Sequence, residues 1–262
     1  MAKAVIKTIT CHNVYNYGAS LQEYALLRYL NNSGYRAEAI HYKPHYLSQH
    51  FNLWLVDSRF NKPILKHLYL LMKLPNRLRR FKLKKAFDSF SVTHIPTGSI
   101  RYTNNEELKL NLPQADGFIC GSDQIWNSLF QNGKDPAFYL EFVPQGVLKM
   151  SYAASFATDA IAEECKPMVK RNVAKLNAVG VRETSGVSIL ENLGINNGVQ
   201  VLDPVFLLPK SLWLTTFVNS ISSEYLFIYD FDSNPIIKEI ALFLKKKKGW
   251  SIYTVNDNIS YA

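Results

Sequence analysis

Short apolar runs alternate along the chain with longer amphipathic stretches. The runs are short and rich in β-branched side chains, which is typical of buried parallel strands. Alternation of such strands with helices predicts an α/β fold, a doubly wound parallel sheet with helices on both faces. The predicted strands are 4–9, 36–42, 117–120, 147–152, 178–181 and 199–202.

Three helices are predicted between these strands. The first spans about 19–31 or starts one or two residues earlier, with its apolar side chains on one broad face, and Ser20 with Glu23 has capping-box spacing at its start. A second helix is predicted over about 159–176, and a third follows Arg182 and ends near residue 193. Each helix therefore links two strands of the predicted sheet.

A new unit begins near residue 224. A strand is followed by a helix with Pro235 in its first turn, capped by Asp232 or Ser233 and ended by Gly249, and then by a strand over 250–255. The predicted buried face of this helix comprises Ile236, Ile237, Ile240, Ala241, Phe243 and Leu244. One βαβ unit cannot cover both faces of its sheet. We therefore expect a first domain over 1–209 and the start of an incomplete second domain over 210–262.

The composition excludes several classes of protein. Hydrophobic residues make up 47% of the 262 residues and charged residues 19%, so the chain is neither disordered nor a coiled coil. We find no apolar run long enough to span a membrane and no secretory signal. The cysteines at 11, 120 and 165 are widely spaced, which favours a reducing cytoplasm. Asp and His are not grouped at ligand spacing, so no metal site is expected.

The positive charge is concentrated in one segment, 59–85. It holds ten cations and no acid, which accounts for the formal net charge of +9. The cations alternate with apolar residues, which indicates one or two amphipathic helices broken at Pro75. Either this segment packs its apolar side on the domain, or it contacts an anionic membrane surface. Nucleic acid is not expected as a partner, since no recognised motif is present.

Polar clusters follow five of the predicted strands. Ligands of open parallel sheets bind beyond the carboxyl ends of the strands, so these clusters are expected to meet at one edge. Arg182 directly follows an apolar strand, where a guanidinium suits a bidentate anion. The clusters are 12–18, 121–127, 151–155, 182–183 and 203–204.

Each cluster also has a structural interpretation. Asn16 and Gly18 shape a tight turn or contact a ligand, and Asp123 caps a helix starting near Gln124 or faces the site. The small residues of 151–155 permit close packing, and Asp203 before a proline suits a structural turn. Arg182 pairs with Glu183 or another acid, or binds an anion. The pattern alone leaves these alternatives open.

Proton transfer has one candidate histidine, His12, because it alone stands at a strand end. A lone histidine is also common in structural roles. The chain has no GxGxxG after its first strand, no Walker loop, no HExxH and no GxSxG, so the corresponding mechanisms find no support.

The chain contains, in this order, the motifs NYGASLQEYAL, CGSDQIWN, SYAASF, VRETSG and VLDPVFLL. Together these motifs resemble the polysaccharide pyruvyltransferase family of bacteria. The resemblance implies two Rossmann-like domains facing a cleft, as in GT-B glycosyltransferases. It also implies transfer of pyruvate from phosphoenolpyruvate to two hydroxyls of a sugar, which gives a cyclic ketal.

The resemblance assigns roles to particular residues. It places Arg182 on the carboxylate or phosphate of phosphoenolpyruvate, and we expect Asp123 and His12 to serve as acid and base. No cofactor beyond the donor is expected, and the acceptor is a sugar or a lipid-linked oligosaccharide. The remaining predicted substrate-binding residues are Asn16, Gly18, Gln22, Gln124, Asn127, Ser155 and Asp203.

One departure from the family pattern bears on activity. The family continues into a histidine motif, whereas this chain has no histidine after His94. We therefore expect that the chain is truncated. We also expect it in the cytoplasm, at the inner face of the membrane if the segment 59–85 binds lipid. Two other functions remain open: a GT-B glycosyltransferase that uses a nucleotide sugar, and a non-catalytic remnant that binds sugar.

Overall fold

The structure, a computed structural model, describes residues 2–47, 56, 62–217, 223–230 and 232–255. It leaves out the side chains of residues 75–77, 79, 80 and 217. The chain divides into two compact units, Met1–Pro209 and Lys210–Ala262. The start of the basic segment, 59–61, lies outside the described residues.

The first unit is built on seven parallel strands in the order β3-β2-β1-β4-β5-β6-β7. The chain winds outward from β1 in one direction through β3 and then in the other from β4, so the order reverses between β1 and β4. This confirms the predicted doubly wound, Rossmann-like α/β fold. The strands are Val5–Ile9, Arg36–Tyr42, Thr97–Tyr102, Gly117–Cys120, Leu148–Ala154, Ala178–Val181 and Gly198–Gln200.

Helices flank this sheet and pack against both of its faces. One core cluster contains Trp126, which is fully buried, stacks on Tyr139 and donates its indole N–H to Phe138 O at 2.9 Å. The other joins Leu26 and Leu27 of α1 to strand residues. The helices of this unit are α1 Tyr17–Asn32, α2 Pro63–Met72, α3 Leu74–His94, α4 Asn105–Leu110, α5 Lys166–Val173 and α6 Thr184–Asn192.

Helix α1 begins two residues before residue 19, within the predicted range, but its cap differs from the predicted one. It starts at Tyr17, and the side chain of Asn16 caps it by accepting a hydrogen bond from Ala19 N at 3.1 Å. The predicted capping box of Ser20 and Glu23 is therefore wrong. Both residues lie within the helix and are buried there, which makes the side chain of Glu23 available for another partner.

The basic segment forms two helices, as predicted. The break falls at Lys73, and Pro75 occupies the first turn of α3. The second half of α3 packs on the domain, where Phe87 is buried. For α2, however, the interpretation that its apolar side packs on the domain is wrong, because none of its residues is buried.

The second unit contains α7 Lys210–Phe217, two parallel strands, Tyr225–Ile228 (β8) and Ser251–Thr254 (β9), and the helix Pro235–Lys248 (α8). Gly249 ends α8 with a positive φ, as expected, but its cap is Asn234 and not Asp232 or Ser233. Most of the predicted buried face is wrong as well: Ala241 is buried, whereas Ile236, Ile237, Ile240 and Phe243 are exposed.

Candidate active site at the carboxyl edge of the sheet

The turns after β1 and β4 are joined by a buried polar network. Thr10 Oγ1 donates to Ser122 O at 2.8 Å. Gln22, on α1, donates from Nε2 to Thr10 Oγ1 at 3.2 Å and to Ala19 O at 2.8 Å, and its Oε1 accepts from Ser122 N at 3.0 Å. Gln22 therefore holds the two turns and the helix together where the strand order reverses, the usual place for a ligand.

Asp203 connects this network to the end of β6. The Oγ of Ser122 donates to Ala153 O at 2.9 Å and lies 3.4 Å from Asp203 Oδ2. The same carboxylate oxygen accepts from Arg182 Nη1 at 3.3 Å, while Oδ1 accepts from Val205 N at 3.1 Å. Asp203 thus forms the structural turn and also contacts the arginine.

Arg182 lies in a strongly acidic environment. Its Nε donates to Glu183 Oε1 at 2.8 Å, and neither this contact nor the one with Asp203 uses Nη2. Burial opposes the charged form of Arg182, but the hydrogen bond and charge of Glu183 and the charges of Asp123 and Asp203 together raise its pKa. The side chain is 26% exposed, so part of this charged guanidinium is accessible to an anion.

Glu183 also accepts a hydrogen bond from Ser155. The hydroxyl of this fully buried serine donates to Glu183 Oε1 at 2.7 Å. Glu183 Oε2 is also buried, and no described residue donates to it. A buried carboxylate oxygen without a partner is costly, so Glu183 adds an uncompensated acceptor close to Arg182.

Asp123 faces the same group of charges. Burial raises the pKa of its carboxyl group, opposed by the hydrogen bond from Gln124 N and by the charge of Arg182, while Asp203 raises it further. No helix begins at Gln124, so the interpretation of Asp123 as a helix cap is wrong. Asp123 therefore combines a raised pKa with a position beside the arginine, as expected of an acid in a functional site.

We expect Asp123→Asn to raise the melting temperature at neutral pH. A carboxyl whose pKa is raised by folding binds its proton more tightly in the folded state, so its ionised form costs stability as pH rises through that pKa. The amide removes that cost, and the gain should vanish at acidic pH, where Asp123 is protonated.

Thermal unfolding across a pH series checks this prediction, with Asp159→Asn as the control because Asp159 is exposed. Equal shifts for the two variants at every pH would contradict it.

His12 is enclosed in the protein and not presented at an open edge. Its Nδ1 lies 2.8 Å from Glu23 Oε1, and the side chains are only 3% and 2% exposed. The ring of His41 meets His12 edge-on at 5.5 Å. This buried pair links the end of β1 to α1, which favours a supporting role. The sequence feature that could have indicated this pair is Glu23, an acid within the apolar face of α1.

The other predicted binding residues fall into two groups. Asn16, Gly18 and Gln124 are exposed. Asn127 is buried and donates from Nδ2 to Gln124 Oε1 at 3.1 Å, so it orients that side chain. Thr10 lies outside the predicted clusters, and Ser122 lies within the cluster 121–127 but was not among the predicted binding residues. Among the described residues, no three His, Cys, Asp or Glu side chains are grouped to hold a metal ion.

Comparison with known proteins identifies the chain at the level of its family. A family model described as polysaccharide pyruvyl transferase matches residues 16–261, which include Asp123, Arg182 and Asp203. No curated protein and no solved structure gave a match. The family match confirms the resemblance carried by the motifs. The chain therefore belongs to the polysaccharide pyruvyl transferase family and is a transferase of pyruvyl groups in polysaccharide biosynthesis.

Proposed function

We propose that this protein transfers the pyruvyl unit of phosphoenolpyruvate to two hydroxyls of a sugar, forming a cyclic ketal. The observation that carries the proposal is the partly exposed guanidinium of Arg182 at the end of β6, whose Nη2 is used by neither Glu183 nor Asp203. In this proposal, the guanidinium of Arg182 binds the carboxylate of the donor through paired N–H groups. Asp203 and Glu183 fix the orientation of the guanidinium.

Burial and the charge of Asp203 favour the neutral form of the Asp123 carboxyl group. Three carboxyl groups surround one guanidinium, so an anionic donor would meet net repulsion if all three were ionised. The raised pKa of Asp123 favours its neutral form, which reduces that repulsion and supplies a proton. We therefore assign Asp123 as the general acid and assign no step to His12.

The chemistry begins with this proton. Asp123 protonates the methylene carbon of phosphoenolpyruvate, which becomes a methyl group and leaves a positive charge on the neighbouring, oxygen-bearing carbon. The carboxylates of Asp203 and Glu183 stabilise that charge. A sugar hydroxyl then adds to this carbon and returns its proton to Asp123. The bond to phosphate breaks, the second hydroxyl adds, and its proton leaves with the phosphate.

In this proposal, the acceptor binds along the exposed part of the carboxyl edge of the sheet. Asn16, Gly18 and Gln124, which are exposed, contact its hydroxyls. The buried Gln22, Asn127 and Ser155 act by holding the loops in place.

Donor binding and product formation test the proposal. Phosphoenolpyruvate at about a hundred times its Kd should stabilise the fold by about 2.7 kcal/mol in a thermal-shift assay. With a sugar diol present, release of phosphate should accompany the methyl signal of a ketal by NMR. Stabilisation by a nucleotide sugar but not by phosphoenolpyruvate would indicate a glycosyltransferase. Binding of an oligosaccharide with neither donor would indicate a non-catalytic sugar-binding protein.

A further inference from the structure

Helix α2 presents an apolar face to solvent. Ile64 lies on one side of the helix together with the apolar residues one, four, seven and eight positions after it. No residue of α2 is buried. The exposed fractions on this face are Ile64 84%, Leu65 41%, Leu68 53%, Leu71 66% and Met72 74%.

Helix α3 has two faces with different surroundings. One packs on α1, where the ring of Phe87 lies 4.9 Å from that of Tyr17 and Phe90 lies 6.1 Å from Tyr24. The other carries Leu74, Leu78 and Phe81 at spacings of four and three residues, and all three are about half exposed or more. The apolar surface of α2 therefore has a counterpart on the solvent side of α3.

Cations accompany this apolar surface. Lys66 on α2 and Lys82 and Lys85 on α3 are exposed, and the sequence from 59 to 85 contains no acid. Apolar side chains with lysines around them suit the boundary between lipid headgroups and acyl chains, because the lysine stems can extend to the anionic headgroups.

We propose that the exposed face of α2 and of the first half of α3 binds the surface of a membrane that contains anionic lipids. The helices lie on the membrane and do not cross it: among the described residues no helix is long and apolar enough to span a bilayer.

The charge of the segment favours a membrane over a second copy of this chain. Two copies meeting through this face would bring two acid-free, cationic surfaces together, which is repulsive. A nucleic acid would pair with the lysines but leave the apolar side chains in water. An anionic membrane satisfies both features of the surface.

The packing of α3 connects this surface to the proposed active site. Its aromatic contacts join it to α1, and α1 is capped by Asn16, one of the residues proposed to contact the acceptor. Membrane binding would therefore bring the active site close to an acceptor attached to lipid. The docking proposal itself rests on the surface alone and does not depend on the reaction.

Flotation of the full chain with vesicles tests the proposal. We expect binding to phosphatidylcholine vesicles that contain phosphatidylglycerol, weaker binding to phosphatidylcholine alone, and loss of binding as salt is raised. Lys82→Gln with Lys85→Gln should lower affinity about 25-fold, on the order of five-fold for each lysine. Leu68→Gln with Leu71→Gln should abolish binding while circular dichroism stays unchanged, since neither side chain is buried.

The matched control removes the same charge elsewhere. Lys246→Gln with Lys248→Gln, on the exposed end of α8, should leave vesicle binding unchanged. Three results would overturn the proposal: no flotation at low salt, an equal loss in the control, or a dimer that the Leu68 and Leu71 variant dissociates while vesicles fail to bind. The last would assign the face to a second copy.

Discussion

Arg182→Lys is expected to lower kcat/KM for phosphoenolpyruvate by about 10²-fold, since a hydrogen bond to a charged group contributes about 1.5–3 kcal/mol and each step of about 1.4 kcal/mol is tenfold. Lysine keeps the positive charge beside Asp203 and Glu183, so the acids stay compensated and the fold is retained. It lacks the planar pair of N–H groups that would bind the donor carboxylate. Release of phosphate, followed with saturating acceptor, measures the effect.

The control for this prediction is Arg171→Lys, because Arg171 is exposed on α5. The control should match the unaltered protein in rate and in melting temperature. If Arg182→Lys also retained full activity, the guanidinium would not bind the donor, and the proposed orientation of phosphoenolpyruvate would be wrong.

Gly121→Ala is expected to destabilise the first unit by about 3 kcal/mol, near the upper end for single substitutions, and to remove activity. Gly121 has a φ of +112°, and a Cβ there would lie 2.3 Å from Tyr152 O, a backbone atom of β5. The turn after β4 would have to move away from β5. Ser122 and Asp123 follow directly, so their hydrogen bonds to Ala153 O and Ser155 N would be lost with it.

Gly34→Ala is a control that measures the cost of alanine at a positive φ without a steric clash. Gly34 has a similar φ of +95°, but a Cβ there would meet nothing within 4 Å. This variant should cost only about 1 kcal/mol and retain activity. Urea unfolding of the two variants measures the difference. Equal losses would show that the approach of Tyr152 O has no effect.

The strands at the centre of the sheet could be predicted from the sequence with accurate bounds. β4 and β6 are short apolar runs, whereas in β2 buried apolar residues alternate with polar ones. The strand β3 was missed because Thr97–Tyr102 lies at the edge of the sheet, where exposed positions carry polar residues. Its position depends on pairing with β2, which local sequence does not encode.

Helix limits were predicted less well where local signals compete. The helix expected over 159–176 is shorter, and α5 begins at Lys166, just before Pro167. Proline suits a first turn and opposes an interior position, and a short 3₁₀ turn, Glu163–Cys165, precedes it. The cap of α8 was misplaced by one or two residues for a similar reason, because Asp232, Ser233 and Asn234 are all good caps.

The site was predictable in position but not in its internal pairing. The rule that parallel strands end at one edge correctly placed Asp123, Arg182 and Asp203 near each other. Which acid holds which edge of Arg182, and that Glu23 pairs with His12, depends on side-chain directions across separate elements. A sequence pattern indicates which residues can meet, whereas packing decides which atoms do.

Hydrogen–deuterium exchange with and without phosphoenolpyruvate tests most directly whether the turns after β4, β6 and β7 form one anion-binding site. We predict that the donor slows exchange together in the segments around Asp123, Arg182 and Asp203, and that this protection disappears in Arg182→Lys. Slowed exchange confined to other parts of the chain, or identical protection in the variant, would contradict a site centred on Arg182.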